Sequence, residues 1–156
     1  MGTFALQIAA WVAKTKEDTD QVVRRVLQEV GDELILRSPV GDKEKWAENI
    51  ERKERGLPAL PPGYVGGRFK GNWQLGVDEP VTDTLPDIDP SGAASKARMM
   101  AAIPPQAAGR HYFITNNLPY AQRLEDGWSK QAPSGMVALT VVRYQAIVDG
   151  IVASLK

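Results

Sequence analysis

The sequence predicts an α+β fold: a long N-terminal helix, a small antiparallel β-sheet, short helices in the connections and a C-terminal helix. Three observations carry this expectation. Apolar residues recur at helical spacing over 4–36, the segments 67–78 and 110–116 have strand character, and helical spacing returns over 136–155. A single domain, 1–156, with an arm-like insertion at about 43–66, accommodates all of them.

In the first helix Phe4, Ile8, Trp11, Val12, Thr15, Thr19, Val22, Val26, Val30 and Leu34 approximate a 3.6-residue repeat. Lys14, Lys16, Glu17, Arg24, Arg25, Glu29 and Asp32 fall mostly on the other face. Such a helix would extend roughly 50 Å, long for a small domain, which leaves room for a break near Lys16–Asp20. Gly31 weakens it, and Ser38-Pro39 ends it, because the residue before proline is pushed out of helical geometry. A short helix is expected over 42–56, with Asp42 as N-cap and Gly56 closing the end. Its Trp46/Ile50 side needs a surface to lie on, since its Glu–Arg pairs stabilise it by only a few tenths of a kcal/mol each. The prolines of 57–67 impose extended chain.

Over 67–78, Phe69, Gly71, Trp73, Leu75 and Val77 alternate with polar residues, which predicts a half-buried strand. An Asp- and Pro-rich loop at 82–92 leads to a helix at about 92–103, capped by Ser91 and stopped by Pro104-Pro105. The second strand, 110–116, is broken by Asn116-Asn117. One or two helical turns follow over 118–126, closed by Gly127. Tyr120 and Leu124 lie one turn apart and Trp128 follows the cap. With Trp73 they are the expected structural anchors, and the first three should bury against the 110–116 strand.

Composition excludes several chemistries. Nineteen basic residues balance nineteen acidic ones, so global charge does not drive the chain toward nucleic acid or an anionic membrane. There is no cysteine for a disulfide, a thiolate metal site or a thiol nucleophile. A lone histidine, His111, cannot build a multi-histidine metal centre. No apolar run reaches the 18 residues of a spanning helix, so no membrane is expected. Asp83, Asp87 and Asp89 lack the glycine and glutamate of a calcium loop, and "GGRFKG" lacks the Lys-Ser/Thr of a phosphate loop. Neither a catalytic residue nor a cofactor or metal ligand is assigned.

The segments "LRSPVG", "GRFKGNWQ" and "ITNNLPYAQRLEDGWSKQAPSGM" together resemble the small neck and tail-completion proteins of long-tailed bacteriophages. Ser38 to Asp42, Gly71-Asn72-Trp73, Asn116 to Ala121, Leu124-Glu125, Gly127 and Gln131 to Met136 carry the resemblance. The roughly 25 residues between Asp42 and Gly67 depart from it, because shorter relatives pass directly into the strand. The resemblance implies a virion structural protein, present in the host cytoplasm during assembly, whose activity is assembly rather than catalysis. It implies a homo-oligomeric ring, sixfold or twelvefold, between the head–tail connector (adaptor) and the tail terminator or tail tube. DNA would pass through the lumen without sequence-specific binding. Trp46, Ile50 and Tyr64 of the arm are the candidate partner-interface residues, against the alternative that the arm folds on its own subunit. Two rival readings stay open: a nucleic-acid-binding module using Arg68, Lys70, Arg110 and Arg123, and a small enzyme with His111 as the first residue to replace.

Overall fold

A computed structural model describes residues 3–155. It has the α+β architecture expected, with helix dominant. In chain order the elements are α1 (Thr3–Arg37), a 3₁₀ turn (Lys43–Lys45), α2 (Ala47–Glu54), α3 (Arg68–Gly71), β1 (Gln74–Val77), α4 (Ala93–Ala102), β2 (Tyr112–Thr115), α5 (Ala121–Glu125) and α6 (Val137–Ala153). No helix among the described residues is long and apolar enough to cross a membrane.

α1 runs unbroken, and the break for which its length left room near Lys16–Asp20 does not occur. The hydroxyls of Thr15 and Thr19 donate to carbonyls one turn back, keeping these β-branched residues within the helical ladder. α4 and α6 pack on the second half of α1. Gly31 makes the α1–α4 contact close, because a Cβ there would lie 2.9 Å from the Met99 methyl. Lys96 pairs with Asp32 at 2.6 Å beside it. α6 runs antiparallel to α1: Arg143 near its start meets Glu33 at 2.7 Å, and Ser154 past its end accepts from Arg25 at 2.7 Å.

The sheet is the antiparallel pair β1–β2, in register Gln74↔Thr115 to Val77↔Tyr112. The strand expected over 67–78 is confined to its second half. Residues 68–71 form a turn of helix instead, because Gly67 takes φ +114° and accepts from the Gly71 N–H at 2.8 Å. Phe69 and Trp73 nevertheless share one side, with rings 5.8 Å apart and edge to face. They join Leu34, Ile35, Leu75, Met99, Ile103, Leu118 and Met136 in the core.

Four paired residues per strand make a marginal sheet, and the long connections around it have few backbone partners. Side-chain amides supply them. Asn72, fully buried, donates to the Leu85 carbonyl at 3.1 Å and accepts from the Leu85 N–H at 2.7 Å. Gln74 donates to Asp83 O, and Asn117 to Val81 O and Asp83 O, so the Asp/Pro loop is stitched along its length. Arg98 adds bonds to Asp87, to Gly71 O and to Trp73 O. Gly71 is required there, since a Cβ would approach Asp87 O to 2.8 Å.

The start of α4 is held by Asp89 rather than by Ser91 alone. The Asp89 carboxylate accepts from the Gly92 and Ser95 N–H groups and from both serine hydroxyls, while Ser91 caps only Ala93. Burial pushes this carboxyl up, but those four hydrogen bonds outweigh burial and leave it below its ordinary range.

Trp73, 3 % exposed, donates its indole N–H to the Ser38 hydroxyl at 2.7 Å, and that hydroxyl donates to Leu34 O at 2.6 Å. This ties the end of α1 to the start of β1. Ser38→Ala leaves the indole N–H buried without a partner and is expected to destabilise by about 1–3 kcal/mol in urea denaturation. In a Trp73→Phe background the same change should cost less by at least about 1 kcal/mol, because the donor is already gone; additive losses would show that the bond carries no coupling.

Candidate functional site, an aromatic groove between arm and loop

The arm is a small structure of its own. Asn49 on α2 is 2 % exposed, donates to Lys43 O and Leu60 O, and accepts from the Leu60 N–H at 2.8 Å. This folds the proline-rich return segment back onto the helix. Asp42 accepts from the Glu44 N–H and thus caps the 3₁₀ turn, and Gly56 closes α2 at φ +68°. Trp46 and Tyr64 pack edge to face, ring centres 4.9 Å apart. The arm's base is seated on its own chain: Tyr64 covers Gly41, where any side chain would collide with its hydroxyl, and Gly66 lies against the Gly41 carbonyl.

The facing wall comes from the loop after α5. Gln131 donates to Val40 O at 2.9 Å and accepts from the Val40 N–H at 3.2 Å, joining loop and arm base. Glu125 fixes the rest of the loop. Its carboxylate accepts from the N–H groups of Met136, Val137 and Ala138 at 2.8–3.0 Å, capping α6 from a residue outside it. Gly135, at φ +76°, lies so close to this carboxylate that a Cβ would overlap it. Burial raises the Glu125 carboxyl, but the three backbone donors prevail and hold it below its ordinary value of 4.5.

Between the walls runs an open groove of about 670 Å³ lined by Trp46, Tyr64, Phe69, Tyr120, Leu124 and Trp128. Lys45, Lys130, Arg68 and Asp42 add charge to its lining. The structure therefore gathers two of the three arm residues, Trp46 and Tyr64, with three of the four expected anchors, Tyr120, Leu124 and Trp128. Ile50 is exposed on α2 outside the groove, and Trp73 is buried in the core.

The expected wedge is corrected in part. Leu124 is partly buried against the core. Tyr120 packs on Phe69, ring centres 6.2 Å apart, and stays 37 % exposed. Trp128 does not bury against β2: it is 70 % exposed, with the Arg123 guanidinium 3.9 Å from its ring centre. Gly127, at φ +84°, turns the chain outward just before it. Burial raises the Tyr120 hydroxyl above 10.0, and Arg68 offsets part of that rise.

The four cations of the nucleic-acid reading divide between the groove and the rest of the surface. Arg68 lines the groove and Arg123 is stacked on Trp128. Lys70 lines a separate depression with Ser91 and Lys96, and Arg110 pairs with Asp78 at 2.6 Å. Arg68 and Lys70 lie on α3 rather than on a strand face. His111 is exposed, and among the described residues its ring makes no hydrogen bond; its backbone is bonded to Asp78. Among the described residues no three His, Cys, Asp or Glu side chains are grouped to hold a metal. The groove offers apolar and cation–π contact to a docked side chain or ring, with arginine and lysine at hand for a carboxylate. No protein-family model, curated protein or solved structure matches the chain.

Replacing Glu125 by Gln removes the charge and at least one acceptor from the start of α6. It is expected to destabilise by about 1–2 kcal/mol at pH 7. Because the folded carboxyl lies below 4.5, its contribution is complete above that pH and is lost as pH falls through the folded value. The deficit of the variant should therefore shrink below about pH 4.5 in thermal denaturation; a deficit constant from pH 7 to pH 3 would contradict the charged cap.

Proposed function

We propose that this protein is a structural subunit of a phage neck, joining head to tail as part of a ring, with the aromatic groove as the seat for a neighbouring protein. The observation that carries this reading is the division of labour among the residues of the three resembling segments. Ser38, Asn72, Trp73, Glu125 and Gln131 are engaged in holding backbone or core in place. Tyr120 and Trp128 from those same segments, with Trp46 and Tyr64 of the arm, are left partly or largely exposed on one concave surface. Exposed aromatics held on a fixed frame suit recognition of a partner surface. The ring would lie between the portal-side connector and the tail terminator or tube, in the virion, with DNA passing through its lumen.

The exposed aromatic gives the cleanest test. Trp128→Ala removes a side chain that covers little of the core, so the unfolding midpoint should stay within a few degrees of the parent. Head–tail joining should fall at least tenfold, as expected where a central aromatic supplies about 2 kcal/mol or more of docking energy. Count joined particles by electron microscopy after complementation with the variant. Normal joining by both Trp128→Ala and Trp46→Ala would remove the groove from the reading. Retention of single-stranded DNA by the purified protein, lost as salt rises, would instead favour the nucleic-acid module.

A further inference from the structure

Two apolar surfaces remain uncovered, and both involve α1. From Thr3 to Thr19 every residue of the helix is exposed, including Phe4 at 73 % and Trp11 at 66 %. Phe4, Ile8, Trp11 and Val12 share one stripe, and no charged residue occurs between Thr3 and Val12. The second surface is the cleft between the inner half of α1 and α6. Val22, Val26, Val30, Val141, Tyr144 and Val148 help to line its roughly 490 Å³, and its lining includes no charged side chain. Val141 on its rim is 65 % exposed.

We propose that residues 4–12 of one copy dock, head to tail, in the α1–α6 cleft of a second copy of this chain. The dimensions agree: the docking stripe and the α1 wall of the cleft, Val22 to Val30, are each about 12 Å long. The area is that of a weak contact that repetition around an assembly would reinforce. Phe4 and Trp11 are about two-thirds to three-quarters exposed, and burying them with Ile8, Val12 and the open part of the cleft removes on the order of 600 Å² from water. The chemistry agrees too, because neither surface carries charge. An anionic membrane or a nucleic acid would call for cations along the stripe, and the first basic residue is Lys14.

A second copy accounts for both surfaces with one contact, whereas a foreign partner on either would leave the other bare. The contact has to be in trans. Arg143 stands opposite Glu33, so Val141 lies on the order of 35 Å along the α1 axis from Trp11 of the same chain. A stripe on one end and a cleft on the other make a heterologous contact, the kind that propagates and can close. This docking stands without the neck reading and supplies the subunit contact that reading needs.

The chain has no cysteine, so engineered thiols report the contact directly. Gln7→Cys, beside the stripe, and Val141→Cys, on the cleft rim, both alter exposed side chains and leave Phe4 and Trp11 in place, and far-UV circular dichroism should match the parent. Mixed under mild oxidation, the two single variants are expected to give a disulfide-linked heterodimer at least tenfold above a control pair of Gln7→Cys with Ile88→Cys, whose Ile88 is exposed on the Asp/Pro loop. The double variant should give a ladder reaching three or more chains, since the two thiols of one chain are too far apart to join. No heterodimer above the control would overturn the proposal. So would a ladder that stops at two, which signals reciprocal exchange, or pelleting of the protein with vesicles in place of self-association. A full ladder from a protein that does not join heads to tails leaves this inference standing and removes the neck reading.

Discussion

The two hydrogen bonds that the Asn72 side chain exchanges with the backbone of Leu85 are the constraint on which the rest of the body depends. A primary amide presents a donor and an acceptor in the geometry of a peptide group, so one side chain can act as a rung of antiparallel sheet. The protein uses this rung three times: Asn72 with Leu85, Asn49 with Leu60, and Gln131 with Val40. Each lies where a long irregular segment would otherwise leave backbone groups unpaired. Asn72 holds the Asp/Pro loop across the first strand, Asn49 closes the arm, and Gln131 joins the arm base to the loop after α5. Two strands suffice because these side chains replace the missing ones.

This explains which parts of the molecule were legible in the sequence. α1, α4, α6, both strand centres and the caps at Gly56 and Gly127 follow from periodicity and turn chemistry, which are local. The segment 67–78 was not, for a geometric reason. Residues four apart share a side in a strand and also in a helical turn, so the Phe69/Trp73 spacing fits both, and Gly67 decides between them. Asn49 carried no signal either: an asparagine within a charged helix reads as solvated surface until the irregular segment that it holds is known. The groove was hidden because its walls come from segments some 80 positions apart. Its aromatics stand out only singly in the sequence, and nothing local announces that Gly127 turns Trp128 outward instead of into the interior.

Carboxylates play the complementary role at helix starts. Asp89 and Glu125 each collect several N–H groups that a helix cannot satisfy by itself, and each does so from outside the helix it caps. The consequence is positional. Glu125 makes the end of α5 and the start of α6 a single unit, so the loop between them cannot drift without uncapping α6. The wall that carries Trp128 is thereby referenced to the helix that packs on α1, and the groove inherits the rigidity of the helical body.

The exposed first half of α1 has an implication for time rather than for shape. Its inner half is insulated by α4 and α6, whereas the outer half has only its own ladder to resist water. A stretch of that length is near the limit at which a lone helix persists. One continuous helix therefore carries two lifetimes: a slow base that opens with the whole domain, and a tip that frays and re-forms on its own clock. Whatever eventually covers the tip would act as its missing insulation, and the moment of contact would also be the moment at which the tip becomes solid.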